Sequence, residues 1–260
     1  MIKYSFDLAS FEYFLAILVR IASFVYIAPF FGMTNTPGRV KIGFSAVVSL
    51  LIYSVILPKT GLEYSGVFDY AILIIKEAMV GLLIGYGANI CNTIILTAGK
   101  MIDMNIGFSM SMEYDPLTKS QSSVISNMYN FFLMMLLIVS NMHLYIFRAL
   151  VDSFEVIPIG NIQLNPLYLL TSMVQFMTDS FVIAFRIFLP VFAVTMIANC
   201  ILGILTKATP QLHMFSVGIQ IKLLVGLSVM FLTIFLLPDV ANYIFRQMKA
   251  MIILFIKGMT

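Results

Sequence analysis

Few residues in this chain have the type and spacing that catalysis or metal binding requires. The only two histidines, His143 and His213, have no cysteine, carboxylate or second histidine at the spacing of metal ligands. The segment 107–111, GFSMS, has part of the pattern of a nucleophile turn, but it lacks the second glycine and a preceding strand. No glycine pattern for binding phosphates or dinucleotides is present. The sequence therefore predicts no catalytic residue, no bound metal and no cofactor.

The chemistry that the sequence does suggest is that of a pore, and it lies in the segment 99–116, GKMIDMNIGFSMSMEYDP. Lys100, Asp103 and Glu113 make this segment too polar for a lipid-facing span. Its methionines and other apolar residues make it unusual for a solvated loop. Irregular backbone at membrane depth is tolerated where it is buried in protein or lines a water-filled path. We therefore expect the segment to line or close a path through a membrane assembly.

The second half of this segment is predicted to be a plug in the closed channel. Glycine tolerates positive φ, so Gly107 lets the backbone fold into a narrow lumen. Methionine is flexible and fills irregular gaps, which suits a seal that opens and recloses. Asp103 is expected to hold the start of the plug, through Lys100 at i−3 or through a neighbouring subunit. The predicted gate residues are Asp103, Gly107, Phe108, Met110, Met112, Asp115 and Pro116.

The composition places the chain in a membrane or in a very apolar assembly. It is 61% hydrophobic and 10% charged, with a mean hydropathy of +1.01, whereas soluble domains are roughly 45–50% apolar and about 25% charged. The net charge of +3 is too small and too scattered to indicate nucleic acid binding. Cys91 and Cys200 both lie in apolar segments, where free cysteine packs readily.

The elements that must position the gate segment are helices. The apolar runs have helical length, and no alternation typical of strands appears, so the predicted fold is all-α with about six or seven helices. Asn165 is a candidate N-cap ahead of Pro166 at the first helical position. The apolar runs cover residues 14–31, 42–57, 67–98, 124–147, 167–205, 215–237 and 244–256.

Charged residues recur inside these apolar runs. A charge facing lipid is costly, so each should face protein or water. Lysine and arginine occur in nearly every connector, so their distribution does not give the orientation in a membrane. Most helices are therefore expected to pack against other subunits, with only part of the surface meeting lipid. The charges in question are Arg20, Lys76, Glu77, Asp179, Arg186 and Lys222.

A pair of glycines predicts one close helix contact. Gly81 and Gly85 form a GxxxG step, a spacing that lets two helix backbones approach. The sequence leaves two alternatives open, namely packing within the chain and an interface with another subunit.

Two spaced motifs resemble the FliR family of flagellar type III export proteins. The first is Gly99-x-x-Ile-Asp103-x-x-x-Gly107-Phe108, followed by Asp115-Pro116. The second is Thr209-Pro-Gln211-x-x-x-Phe215-x-x-Gly218-x-x-x-Lys222, and the region around His143 and 152–160 is similar to the same family. The virulence-secretion counterpart of the family shares this fold and is left open.

The resemblance implies a subunit of an export gate. Such a subunit forms the central pore with FliP-like and FliQ-like subunits, with an FlhB-like subunit around the entrance, and passes unfolded flagellar proteins. The whole chain, 1–260, would be one gate subunit, with a FliP-like part over about 1–166, a plug loop near 103–119, and a FliQ-like helical hairpin over about 167–240. The implied assembly residues are Gly81, Gly85, Pro210, Gln211, Phe215, Gly218 and Lys222.

The family also implies a location and a shape. The expected location is the bacterial inner membrane, in the flagellar basal body. The helices would form hairpins, and part of the assembly would be raised above the membrane plane while the rest contacts lipid. No nucleic acid partner and no enzymatic activity are expected.

Two other function classes compete with this interpretation. An ion or small-molecule carrier would use Asp179, Arg186 or Glu77 as intramembrane binding groups, and a carrier reconstituted alone would transport. A membrane enzyme is the weaker alternative, because no set of acid, base and nucleophile is visible in the sequence.

Overall fold

The computed structural model confirms an all-α architecture. It describes residues 8–32, 36–55, 64, 66–108, 114–115, 120–121, 123–208 and 214–260. Two strands of two residues, β1 (Tyr114–Asp115) and β2 (Ser120–Gln121), pair antiparallel. A 3₁₀ turn, Ile234–Leu236, joins the last two helices. Within the described residues the α-helices are α1 (Leu8–Ile27), α2 (Gly38–Val55), α3 (Val67–Ala88), α4 (Ile90–Ile106), α5 (Val124–Val139), α6 (Met142–Val156), α7 (Pro166–Ala208), α8 (Met214–Thr233) and α9 (Leu237–Lys257).

Two of the predicted apolar runs are broken at asparagines, so the described helices outnumber the six or seven predicted. Asn89 separates α3 from α4, and its amide donates to the carbonyls of both Gly85 and Tyr86 at 3.0 Å. Asn141 separates α5 from α6 and has a left-handed backbone with φ 56°. Asparagine tolerates this conformation better than apolar residues do. Hydropathy alone does not show such breaks, because the helices on both sides of each break are apolar.

The longest helix, α7, begins where the sequence predicted. Pro166 is its first residue, and the Asn165 side-chain oxygen accepts a hydrogen bond from the amide of Tyr168 at 3.2 Å. The N-cap prediction is therefore confirmed. The helix has 43 residues and is not interrupted at Pro190, although proline removes one backbone donor from the hydrogen-bond ladder of the helix.

The chain forms two compact units. The first comprises Met1–Ile90, Asn141–Phe176 and Arg246–Thr260, and the second comprises Cys91–Ser140 and Met177–Phe245. The sequence predicts a division near residue 166 into a FliP-like part and a FliQ-like part. That division describes resemblance to other subunits, not compact units, and it stays a prediction.

In the first unit α1 packs against α2 and α3, and the two glycines of the GxxxG step lie at the α1–α3 contact. A β-carbon added at Gly81 would overlap the backbone carbonyl of Arg20 and the side chain of Ser23. A β-carbon at Gly85 would lie 3.1 Å from the carbonyl oxygen of Phe24. Of the two alternatives left open by the sequence, the structure therefore shows packing within the chain. A further role of Gly81 and Gly85 in assembly stays a prediction.

The second unit is built from α4, α5, α8 and the C-terminal part of α7. The backbone of α4 at Gly99 approaches α5 so closely that a β-carbon there would overlap the backbone of Ser126. The Ser126 hydroxyl donates to the carbonyl of Leu96 at 2.7 Å. These contacts fix α4, the helix that leads into the predicted gate segment. The buried apolar residues of these helices include Ile94, Ile102, Ile106, Leu133, Leu137, Val191 and Met230.

Four helical stretches of the described chain are long and apolar enough to cross a membrane. They are Ser10–Ile27, Gly38–Val55, Pro166–Ala208 and Gly218–Lys257. A fifth is obtained if the bent pair of α5 and α6 counts as one span. These helices agree with the membrane class that the composition predicted.

Candidate functional site

The candidate site is the connection between α4 and α5, which contains the predicted plug. Helix α4 ends at Ile106, and Gly107 follows with φ +89°. Residues other than glycine rarely adopt this left-handed conformation, so the positive φ predicted for Gly107 is confirmed, while its role in folding the segment into a pore stays a prediction. Phe108 is half-buried and is the last described residue before the next gap.

The middle of this connection contains the two-stranded ladder. Tyr114 pairs with Gln121, and Asp115 pairs with Ser120. Of Asp115 only the backbone is described, while Met110, Met112 and Pro116 lie outside the described residues. Their predicted roles as seal residues therefore stay predictions.

Asp103 joins the two ends of the connection. Its Oδ2 atom accepts a short hydrogen bond from the hydroxyl of Ser123 and a second one from the amide of Ile125 at 3.3 Å. Ser123 is also the N-cap of α5, because its hydroxyl oxygen accepts from the amide of Ser126 at 3.2 Å. We call this set, Asp103, Ser123, Ile125 and Ser126, the clasp.

The clasp corrects one of the two partners predicted for Asp103. Lys100 was one expected partner, but the partners that the structure shows are Ser123 and Ile125, on the far side of the connection. A further contact of Asp103 with another subunit stays a prediction. Lys100 is exposed, and no ion pair between it and Asp103 occurs among the described residues. The sequence signal that could have identified Ser123 is its position directly before an apolar run, which is typical of a helix N-cap.

The clasp places a carboxyl group in a protein interior. Asp103 is fully buried, and its Oδ1 atom has no hydrogen-bond partner among the described residues. Burial raises the pKa of this carboxyl, while the hydrogen bonds from Ser123 and from the backbone amides of Ile125 and Ser126 oppose that rise. The N-terminus of α5 also favours negative charge. The group is thus held by donors at one helix end rather than by a cation.

Three further contacts fix the residues that follow Asp103. The Thr195 hydroxyl of α7 donates to the side-chain oxygen of Asn105 at 2.6 Å. The Ile106 side chain occupies the space beside Gly226 of α8, where a β-carbon would overlap it. The start of the connection is therefore attached to α5, α7 and α8. This arrangement can position a segment of chain.

The predicted assembly residues near the C-terminus are only partly described. Pro210 and Gln211 lie outside the described residues, and only the backbone of Phe215 is described, at the start of α8. Gly218 is buried and Lys222 is half-buried in α8. Their roles in assembly stay predictions.

Two of the charges inside the apolar runs, Arg20 and Glu77, form a buried ion pair outside the α4–α5 connection. Nε of Arg20 lies 2.6 Å from Oε2 of Glu77, and both side chains are fully buried. Nη1 of Arg20 donates to the carbonyls of Ser153 at 3.2 Å and Ile157 at 3.0 Å, at the C-terminal end of α6. The sequence predicted that each of these charges needs a partner. It could not identify the partner, because 57 residues separate Arg20 from Glu77.

This ion pair also weakens the carrier alternative. The second carboxylate oxygen of Glu77 accepts from the amide of Gly160 at 3.1 Å, so Glu77 has no free oxygen to offer a solute. Asp179 is half-exposed and Arg186 is exposed on α7. Within the part of the chain that the structure describes, no group of three or more metal-binding side chains occurs.

Comparisons with known proteins extend over most of the chain. Residues 11–248 match the family described as bacterial export proteins, family 1. The chain is 29% identical to the flagellar biosynthetic protein FliR of Buchnera aphidicola subsp. Baizongia pistaciae over 90% of each chain. It is 31% identical to FliR of Bacillus subtilis over 83% of each chain. It is 25% identical to FliR of Escherichia coli over 88% of this chain and 87% of the relative. The matched region runs from α1 into α9.

Proposed function

Because the chain belongs to the FliR family of bacterial export proteins and is a membrane component of the flagellar export apparatus, we propose that it is a structural subunit of the export gate. In this proposal it forms the central pore with FliP-like and FliQ-like subunits, beside an FlhB-like subunit. The gate lies in the inner membrane within the flagellar basal body and passes unfolded flagellar proteins. The connection between α4 and α5 closes the pore at rest.

The observation that carries the gate proposal is the clasp. Asp103 and Ser123 hold the two ends of the connection together, and the Asn105–Thr195 contact attaches its start to α7. A segment of chain that is tied at its base can remain in a pore without unravelling into it. The composition of the segment, with methionine and glycine, suits a seal that must let an unfolded chain pass and then close again.

The length of α7 supports an assembly with other apolar subunits. Its 43 residues extend for about 65 Å, about twice the thickness of the hydrocarbon layer of a bilayer, about 30 Å. Large apolar side chains are exposed along the whole helix, so lipid can cover only part of them. The remainder needs protein partners, as expected for a gate that rises above the membrane plane. The exposed apolar residues of α7 include Leu170, Val174, Phe181, Phe185, Leu189, Ile197, Ile201 and Ile204.

Coexpression tests the assembly part of this proposal. The chain should copurify with its FliP-like and FliQ-like partners in a complex whose mass exceeds that of any single subunit. Reconstituted alone, it should transport neither ions nor small solutes. A carrier would instead transport alone, and a monodisperse chain that transports without partners would contradict the proposal.

A further inference from the structure

Helix α2 has the reverse of the polarity expected for a helix on a water-exposed surface. Two of its three serines, Ser45 and Ser49, are fully buried against the protein, while Ser54 near its end is exposed. Its large aliphatic residues point outward, with Leu51 62% exposed and Val55 77% exposed. The outward face of α2 comprises Ile42, Phe44, Val47, Leu50, Leu51 and Val55.

The polar groups of α2 are satisfied inside the chain. The hydroxyl of Ser45 donates to the carbonyl of Lys41 at 2.8 Å, and that of Ser49 donates to the carbonyl of Ser45 at 2.6 Å. The hydroxyl of Ser54 donates to the carbonyl of Leu51 at 2.6 Å. Tyr53 packs its ring against Tyr13 and Phe14 of α1. The serine hydroxyls therefore do not depend on water, which is the requirement for a helix in a bilayer.

Beyond its first turn, α2 carries no charge. No charged residue occurs between Lys41 and Lys59, whereas α7 carries Asp179 and Arg186 in its middle. Lys41 itself is buried, with its Nζ donating to the carbonyl of Gly32 at 3.0 Å. Arg39 and Lys41 lie in the first turn of α2, and its uncharged part, residues 42–55, extends for about 21 Å, about two thirds of the hydrocarbon thickness of about 30 Å.

These features discriminate between lipid, protein and water as the covering of α2. Helices that pack together in membranes place small residues at the contact, and α2 directs Ser45 and Ser49 towards the protein. A water-facing helix would present polar side chains outward. We propose that the outward face of α2 contacts lipid acyl chains in the assembled complex. This inference does not depend on the plug, because it concerns a different unit of the chain.

Spin labels on α2 test the proposal in the complex assembled with its partners in lipid nanodiscs. Cys91 is buried and stays in place, while the exposed Cys200 is replaced by serine. Labels are attached at Val47→Cys, Leu50→Cys and Leu51→Cys. Ser49→Cys is the inward control on the same helix, and Val182→Cys is the control on the charged helix α7. Collisions with oxygen, which concentrates in lipid, and with a water-soluble nickel chelate are measured for each label.

The proposal predicts frequent collisions with oxygen and few with the nickel chelate at the three outward positions. Oxygen collisions should be at least several-fold less frequent at Ser49→Cys, and the ratio of oxygen to nickel collisions should be lower at Val182→Cys. Immobile outward labels that neither reagent reaches would show a protein partner and overturn the proposal. Labels that the nickel chelate reaches freely would show water and would overturn it equally.

A charge on the outward face gives a second readout. Leu50→Lys should lower the amount of complex in the membrane several-fold, because a charge facing acyl chains is costly. Leu50→Ile should leave that amount unchanged. Equal yields for the two variants would contradict a lipid environment at this position.

Discussion

At the residue scale, the chain uses two buried carboxylates to tie distant segments together. Asp103 holds the two ends of the α4–α5 connection through hydroxyl and amide donors. Glu77 is attached to α1 through its ion pair with Arg20, and it accepts a hydrogen bond from the backbone amide of Gly160. Neither group is placed for a chemical reaction, and both contacts can be broken by single substitutions. The clasp and the ion pair can therefore be tested separately.

The clasp predicts that Ser123→Ala and Asp103→Ala both impair closure. Both variants remove the Asp103–Ser123 hydrogen bond; Asp103→Ala also removes the contact with the Ile125 amide, and Ser123→Ala also removes the N-cap of α5. The leak of the double variant should be smaller than the sum of the two single leaks, because the Asp103–Ser123 contact is lost in all three variants. The measurement is the resting ion leak of membranes that contain the assembled complex, normalised to complex yield.

A matched control for the clasp lies at the other end of α5. The hydroxyl of Ser140 donates only to carbonyls of its own helix, with Leu136 at 2.6 Å. Ser140→Ala should leave the leak as low as in the intact chain. Ser123→Thr keeps the capping hydroxyl and should likewise leave the pore closed. Additive leaks for the two clasp substitutions, or an equal leak for Ser140→Ala, would refute the role given to the clasp.

The buried ion pair predicts a large loss of stability when one partner is removed. Arg20→Met leaves Glu77 buried without a cation and should destabilise the protein by about 3–5 kcal/mol. Arg20→Met combined with Glu77→Leu should be milder, because no buried charge remains. Thermal unfolding of the purified complex measures both effects.

The exposed pair of Arg148 and Asp152 supplies the comparison for the buried one. These side chains are 82% and 60% exposed, with 3.8 Å between Nε and Oδ2. Asp152→Asn should change the stability by at most about 1 kcal/mol. If Arg20→Met were as mild as Asp152→Asn, the buried pair would not have the structural role described.

At the element scale, the packing of α1 on α3 depends on the absence of side chains at two positions. A β-carbon at Gly81 would overlap backbone atoms of α1, whereas one at Gly85 would be tightly placed at 3.1 Å. Backbone cannot move aside as a flexible side chain can. The spacing of these two glycines was visible in the sequence, and the structure identified the helix that approaches them.

Alanine substitutions in these helices should therefore differ in severity. Gly81→Ala should lower the unfolding temperature of the complex most, and Gly85→Ala less. Gly43→Ala, where nothing lies within 4 Å of the added carbon, should be neutral or stabilise by up to about 1 kcal/mol through helix propensity. A tolerated Gly81→Ala would argue against the described α1–α3 contact.

The sequence predicted the elements better than their connections. Helix type, the N-cap at Asn165 and the positive φ of Gly107 follow from local chemistry, since each depends on residues adjacent in the chain. The Asp103–Ser123 contact and the Arg20–Glu77 pair depend on tertiary structure and were not identified from spacing. The breaks at Asn89 and Asn141 were missed because one or two polar residues barely change the hydropathy of a long run.

At the scale of the whole molecule, the proposed gate predicts that protein partners as well as lipid cover the apolar surface of the chain. Helix α2 combines an uncharged stretch over residues 42–55 with buried serines and an aliphatic outward face. Helix α7 is too long for one crossing, and it carries Asp179 and Arg186. The proposed lipid contact of α2 and the proposed protein partners of α7 together describe a subunit of a gate assembled from several chains.

The most direct test of the gate is the removal of residues 109–113 from the α4–α5 connection. The shortened chain should still assemble, because the clasp and the contacts of Asn105 and Ile106 lie outside the deletion. Removal of residues 59–63 from the connector between α2 and α3 is the control of equal length. The measurement is the resting ion conductance of membranes that contain each assembled complex. The gate account predicts a leak for the 109–113 deletion and none for the control, and a membrane that stays as tight as with the intact chain would contradict it.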